Sequence, residues 1–152
     1  MAVTGSSNIG TPSISDSAAR AILSNSHLSA YANKFMNLAS RYGIDPNWAL
    51  SYLQWESNYG ATSANQNNPF DINCPSCFDY PSMEAGLEAG FALWASYKAR
   101  GWSTWHDSLS VALCGNPSGC GGSWVDSVIA QGNSNSAGGG GSWEPSPSSG
   151  GG

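Results

Sequence analysis

The sequence predicts a mostly α domain carrying a small irregular, β-containing lobe. Three observations support this: six stretches repeat apolar residues at helical spacing, each opened by Ser, Thr or Asp; the helical period vanishes over residues 61–81; and the composition after Gly132 turns to Gly, Ser and Pro. The expected divisions are a flexible arm over residues 1–14, a folded domain over 15–132 and a linker over 133–152. At 152 residues the chain holds one domain's worth of core.

Each element has a local cause. Residues 1–14 are small and polar, broken by Gly5, Gly10 and Pro12, and read as an arm laid over the surface or disordered. Ser15 or Asp16 caps a short helix over Ser17–Ser24, with Ala19, Ile22 and Leu23 turned inward. Ser29 opens a second helix whose apolar face is Tyr31, Phe35, Leu38, Ala39 and Tyr42, ended by Gly43. Asp45 caps a third, with Pro46 at its first position and Gly60 at its end. The connection is so short that the second and third helices are expected to pack as a hairpin.

In the third helix Ala49, Leu53 and Glu56 fall at i, i+4 and i+7, which puts one carboxyl on the apolar face. Burial disfavours a charged carboxylate, so Glu56, flanked by Tyr52, Trp55 and Tyr59, is expected to keep its proton to unusually high pH and to suit a general acid. The bland alternative is a glutamate that points outward or serves a neighbouring cap.

About twenty residues without helical period come next, a length that in a compact domain usually carries function. Ser82 then caps the longest helix, with Met83, Leu87, Phe91, Trp94 and Lys98 in register and Gly101 at its end. Gly86 and Gly90 lie four apart on it, where small residues let another helix approach closely. Thr104 starts a helix through Leu113, and Ser123–Gln131 forms the last, burying Trp124, Val125, Val128 and Ile129. The chain beyond Gly132 is expected to link to a further domain, unless Trp143 docks back on the body.

Charged residues make up 10% of the chain against about 25% in ordinary soluble domains, a profile suited to a secreted, periplasmic or virion-associated protein. A formal net charge of −5 argues against nucleic acid as a partner. No apolar run approaches the length of a membrane span, and the start lacks the basic-then-apolar pattern of a signal peptide. A monomer is expected.

Cys74, Cys77, Cys114 and Cys120 allow three disulfide pairings. Cys74-Pro-Ser-Cys77 lacks the strand–helix context of a redox motif, and the Cys114–Cys120 spacing is wide for zinc. Two local disulfides are the preferred reading, and they imply an oxidising compartment.

The order of these features resembles the lysozyme superfamily, in particular its peptidoglycan-cleaving endo-β-N-acetylglucosaminidases, with lytic transglycosylases and goose-type lysozymes more distant. Tyr42-Gly-Ile-Asp-Pro-Asn-Trp-Ala49 resembles that family's entry into its catalytic helix, and Glu56-Ser57-Asn58-Tyr59-Gly60 its Glu-Ser-Gly-Trp-Gly signature. Asn67-Asn68-Pro69-Phe70-Asp71-Ile72 is similar to Asn-Asn-Leu-Phe-Gly-Ile, and Tyr80-Pro81-Ser82 to a Tyr-X-Ser turn. Asp71 in place of glycine, Pro69 in place of leucine and the cysteine pairs depart from the pattern.

The resemblance implies a lysozyme-like helical domain that cleaves β-1,4 bonds of peptidoglycan or a related N-acetylglucosamine-containing glycan, without metal or organic cofactor. Glu56 would protonate the glycosidic oxygen and Tyr80 would line the cleft. A second carboxylate, usual in such hydrolysis, would be Asp71 or Asp79; with neither, the substrate would close the intermediate itself, as in lytic transglycosylases. Tyr59, Asn68, Phe70 and Trp102 are expected substrate contacts, with Trp48, Trp55 and Tyr80 as further candidates to stack on sugar rings. Chitin hydrolysis and non-catalytic wall binding are the rival functions.

Overall fold

Four side chains start helices by accepting a backbone N–H: Ser15 from Ala18, Asp45 from Asn47, Ser82 from Ala85 and Thr104 from Asp107. The computed structural model describes residues 2–62, 67–73 and 77–138, and within them the chain is mostly helical. The helices are α1 (Asp16–Ser24), α2 (Ala32–Tyr42), α3 (Pro46–Ser57), α4 (Met83–Ala99), α5 (Trp105–Cys114) and α6 (Trp124–Gly138). Ser29–Tyr31 forms a 3-10 turn ahead of α2, so the second helix begins three residues later than its Ser29 start suggests. Among the described residues no helix is long and apolar enough to cross a membrane.

The core is aromatic at its centre. Trp94 meets Trp48, Tyr52 and Phe70 with ring centroids 4.9–5.5 Å apart, and Phe35 meets Phe91 edge-on at 5.1 Å. Trp48 is fully buried and its indole N–H donates to the Ser108 hydroxyl at 2.9 Å, so it belongs to the scaffold rather than to a sugar-binding surface. Each such ring contact adds about 0.5–1.5 kcal/mol to the area buried.

Four expectations need correction. The α2–α3 hairpin is not the main packing: α2 lies chiefly on α4 and α3 on α6. Side chains decide this, since Phe35 of α2 meets Phe91 of α4, while Asn47 and Ser51 of α3 accept hydrogen bonds from Asn135 of α6.

The segment expected as an arm is, over its described residues 2–14, integral to the domain. Val3, Ile9 and Ile14 are buried, and the Ile9 carbonyl accepts the Asp45 N–H at 2.6 Å. Full burial of one such side chain is worth about 1.5–3 kcal/mol. Asn8 pairs with Thr104 in an isolated antiparallel bridge.

The last helix runs to Gly138, well past Gln131. Gly132 sits where a Cβ would press on the Trp105 ring, so here a glycine brings the helix close to its neighbour instead of ending it. The polar residues beyond it are buried and bonded: Asn135 to Asn47 and Ser51, and Ser136 to the Ser13 carbonyl. Residues 139–152, Trp143 included, lie outside the described residues.

Trp124, expected inside, is exposed at the start of α6, while Val125 and Val128 are buried. Cys114 and Cys120 are joined, and Cys77 is also disulfide-bonded; Cys74 lies outside the described residues.

Candidate active site

The segment after α3 is seated by two glycines and one serine. A Cβ at Gly86 would overlap the Asn67 carbonyl, and one at Gly90 the Phe70 ring. The small-residue stripe of α4 therefore receives the irregular lobe, not another helix. Ser57, the last residue of α3, donates its hydroxyl to the Pro69 carbonyl and accepts the Gly60 N–H.

Asn68 organises the lobe from Ile72 to Phe78. It is fully buried; its amide donates to the carbonyls of Ile72 (3.0 Å) and Phe78 (3.1 Å), and its oxygen accepts the Ile72 N–H (2.9 Å). With both N–H groups and the oxygen so engaged, Asn68 holds the lobe together rather than touching substrate. Phe70 is likewise fully buried among Tyr52, Phe91 and Trp94, and its role is support. Among the described residues the lobe contains no strand.

This frame sets Asp71 in a left-handed turn, φ 51°, with its N–H bonded to the Asn68 carbonyl. Aspartate tolerates that conformation better than most residues. The turn opens on a cleft of about 90 Å³ lined by Tyr52, Asp71, Leu93, Trp94 and Tyr97 among others.

Glu56 projects from the last turn of α3, half-buried. Its carboxyl is pushed up to about 7 from 4.5, first by burial and then by the negative charge of Asp71. Among the described residues no hydrogen bond or ion pair ties that carboxyl down, so its proton is available to a bound group. Tyr52, one turn earlier on the same helix, is held well above its ordinary value by burial, with Glu56, Tyr97 and Asp71 adding to the effect. It stays a protonated phenol beside two acids. Burial also raises Tyr97.

The structure thus groups Glu56, Asp71, Tyr52 and Tyr97. Sequence reasoning misses Tyr97 because it puts Lys98 on the inner face of α4; Lys98 in fact donates to the Gly43 carbonyl at 2.8 Å. The step of three from Trp94 to Tyr97 is the signal that could have found it.

The remaining expected residues sit around this group. Tyr80 is half-buried, and its ring meets Phe78 at 6.0 Å. Asp79, between those two, is exposed. Trp102 is half-buried against Tyr97, at 5.6 Å, so it stands one ring away from the cleft. Tyr59 is half-buried in a backbone with φ 59° and lines a separate hollow against Ala21, Ile22, Asn25 and Ser26 of the α1 region.

A larger cavity of about 520 Å³ lies at the opposite end of α3, beside Pro46, about 15 Å along the helix from Glu56. Its charged lining residues, Asp16 and Arg20, pair with each other at 2.8 Å. Volume alone would favour that cavity; the chemistry favours the Glu56 side. Compared with known proteins, the chain matches no protein-family model, and no curated protein matches it.

Proposed function

We propose that this chain is a glycosidase that cleaves β-1,4 bonds of bacterial peptidoglycan outside the cytoplasm, within a lysozyme-like architecture. The observation that carries the reading is the pairing of a half-buried Glu56, raised to about 7, with Asp71 close enough to bear on its charge. A carboxyl that keeps its proton near neutral pH, with a second carboxyl beside it, is what glycoside hydrolysis normally uses. The ordered motifs from Tyr42 to Ser82 supply the substrate class, and the disulfides fit an oxidising compartment.

Glu56 gives its proton to the glycosidic oxygen as the bond to the anomeric carbon breaks. Asp71 takes a proton from the water whose oxygen bonds to that carbon. The products are a new hydroxyl on the leaving sugar and a reducing end on the other. Asp79, exposed between Phe78 and Tyr80, is not needed in this scheme.

The test is mass spectrometry of soluble products from purified peptidoglycan, with wild type and Glu56→Gln compared. Reducing-end fragments from the wild type, lost in the variant, are expected. Anhydro-muropeptides would replace the Asp71 step with closure by the substrate. No product from either protein would leave a wall-binding module, and turnover of chito-oligosaccharides alone would move the substrate to chitin.

A further inference from the structure

We infer that Phe78 is a sugar-stacking platform at the rim of the cleft that Asp71 lines, fixing one N-acetylhexosamine ring beside that acid. The inference rests on the proposed glycan substrate and adds a residue that the motifs did not mark.

Phe78 is 50% exposed, yet its position is fixed on several sides. Its N–H donates to the Ile72 carbonyl at 3.2 Å, and its carbonyl accepts the Asn68 amide at 3.1 Å. The preceding Cys77 is disulfide-bonded, and two residues later the Tyr80 carbonyl accepts the Asn67 amide at 3.0 Å. The Phe78 and Tyr80 rings meet nearly at right angles, 84° between planes. A large apolar ring is thus held half open to solvent, on a backbone bonded on both sides and with Tyr80 against it.

Its place says what it would hold. Ile72, whose carbonyl accepts the Phe78 N–H, lines the cleft together with Asp71, so the Phe78 backbone borders that cleft. A β-linked glucosamine-type ring carries its substituents equatorially and presents a face of C–H groups. An aromatic face matches that surface, while neighbouring polar groups read the hydroxyls.

The experiment measures binding of N,N′,N″,N‴-tetraacetylchitotetraose by calorimetry in the inactive Glu56→Gln protein, with and without Phe78→Ala, Phe78→Tyr or Phe78→Trp. About tenfold weaker binding for the alanine variant, with tyrosine and tryptophan restoring it, is expected. In the active protein Phe78→Ala should raise KM for peptidoglycan more than it lowers kcat. Unchanged affinity and KM in an alanine variant of normal Tm would overturn the platform even if the wild type cuts peptidoglycan. No binding of the tetramer by the Phe78 parent would overturn it as well. Binding that depends on Phe78, with no cleavage by the wild type, would keep the platform and remove the enzyme reading.

Discussion

Asp71 raises the proton affinity of Glu56 across the junction between α3 and the lobe, adding to what burial has already done. A carboxyl poised near 7 beside a second acid works over a limited pH range. The consequence is a definite shape for the pH profile.

Because Glu56 must carry its proton to act as an acid, kcat/KM on peptidoglycan should fall as pH rises through about 7, with a single-proton slope. A profile flat from about pH 6 to about pH 9 would remove Glu56 from the acid role.

Asp71→Asn keeps a residue that tolerates φ 51° but removes the charge facing Glu56. The Glu56 titration, followed by carboxyl-carbon NMR, should move to lower pH yet stay above 4.5, because burial, the larger cause, remains. Activity should drop about 10²–10⁴-fold. A Glu56 midpoint that does not move would mean that the two acids do not sense each other.

Gly90→Ala drives a methyl into the Phe70 ring and Gly86→Ala drives one into the Asn67 carbonyl. Each should cost about 1–3 kcal/mol in urea unfolding and reduce activity by displacing Asp71. Gly101→Ala, with open space around it but φ 91°, tests backbone strain alone and should leave the site intact. Full activity in both Gly86→Ala and Gly90→Ala would argue against the seating of the lobe on α4.

Asp45 is a second perturbed acid, remote in role. It is fully buried, accepts hydrogen bonds from the Ser13 N–H, the Ser13 hydroxyl and the Asn47 N–H, and is raised to about 6 from 3.8 because burial outweighs those bonds. A carboxyl raised in the fold favours the folded state below its unfolded value. That contribution is lost as pH rises from about 3.8 through about 6. Thermal stability should therefore decline over that window, and Asp45→Asn, which keeps an acceptor, should flatten part of the decline. Asp45→Ala should cost about 1–3 kcal/mol by leaving buried N–H groups unpaired. An identical pH dependence in Asp45→Asn and wild type would exclude Asp45 as the source.

The sequence by itself determined the local elements. Caps at Asp45, Ser82 and Thr104, the apolar period of α4 from Met83 to Trp94 and the half-buried acid of α3 are all set by neighbours within a few residues, and the structure has them where that logic puts them; at α1, where the sequence leaves Ser15 or Asp16, the cap is Ser15. Glycine and polar residues were ambiguous because their meaning depends on what approaches them. Gly132 reads as a helix stop but admits Trp105, and Asn135 and Ser136 read as linker but bond α6 to α3 and to the N-terminal segment. Only the tertiary structure set Asp71 in the wall of a cleft while leaving Asp79 exposed, and placed Asn68 and Phe70 in the frame of the lobe. Those assignments turn on which side of a short irregular segment faces α3 and α4. That is fixed by hydrogen bonds and close contacts between parts of the chain that sequence spacing does not relate.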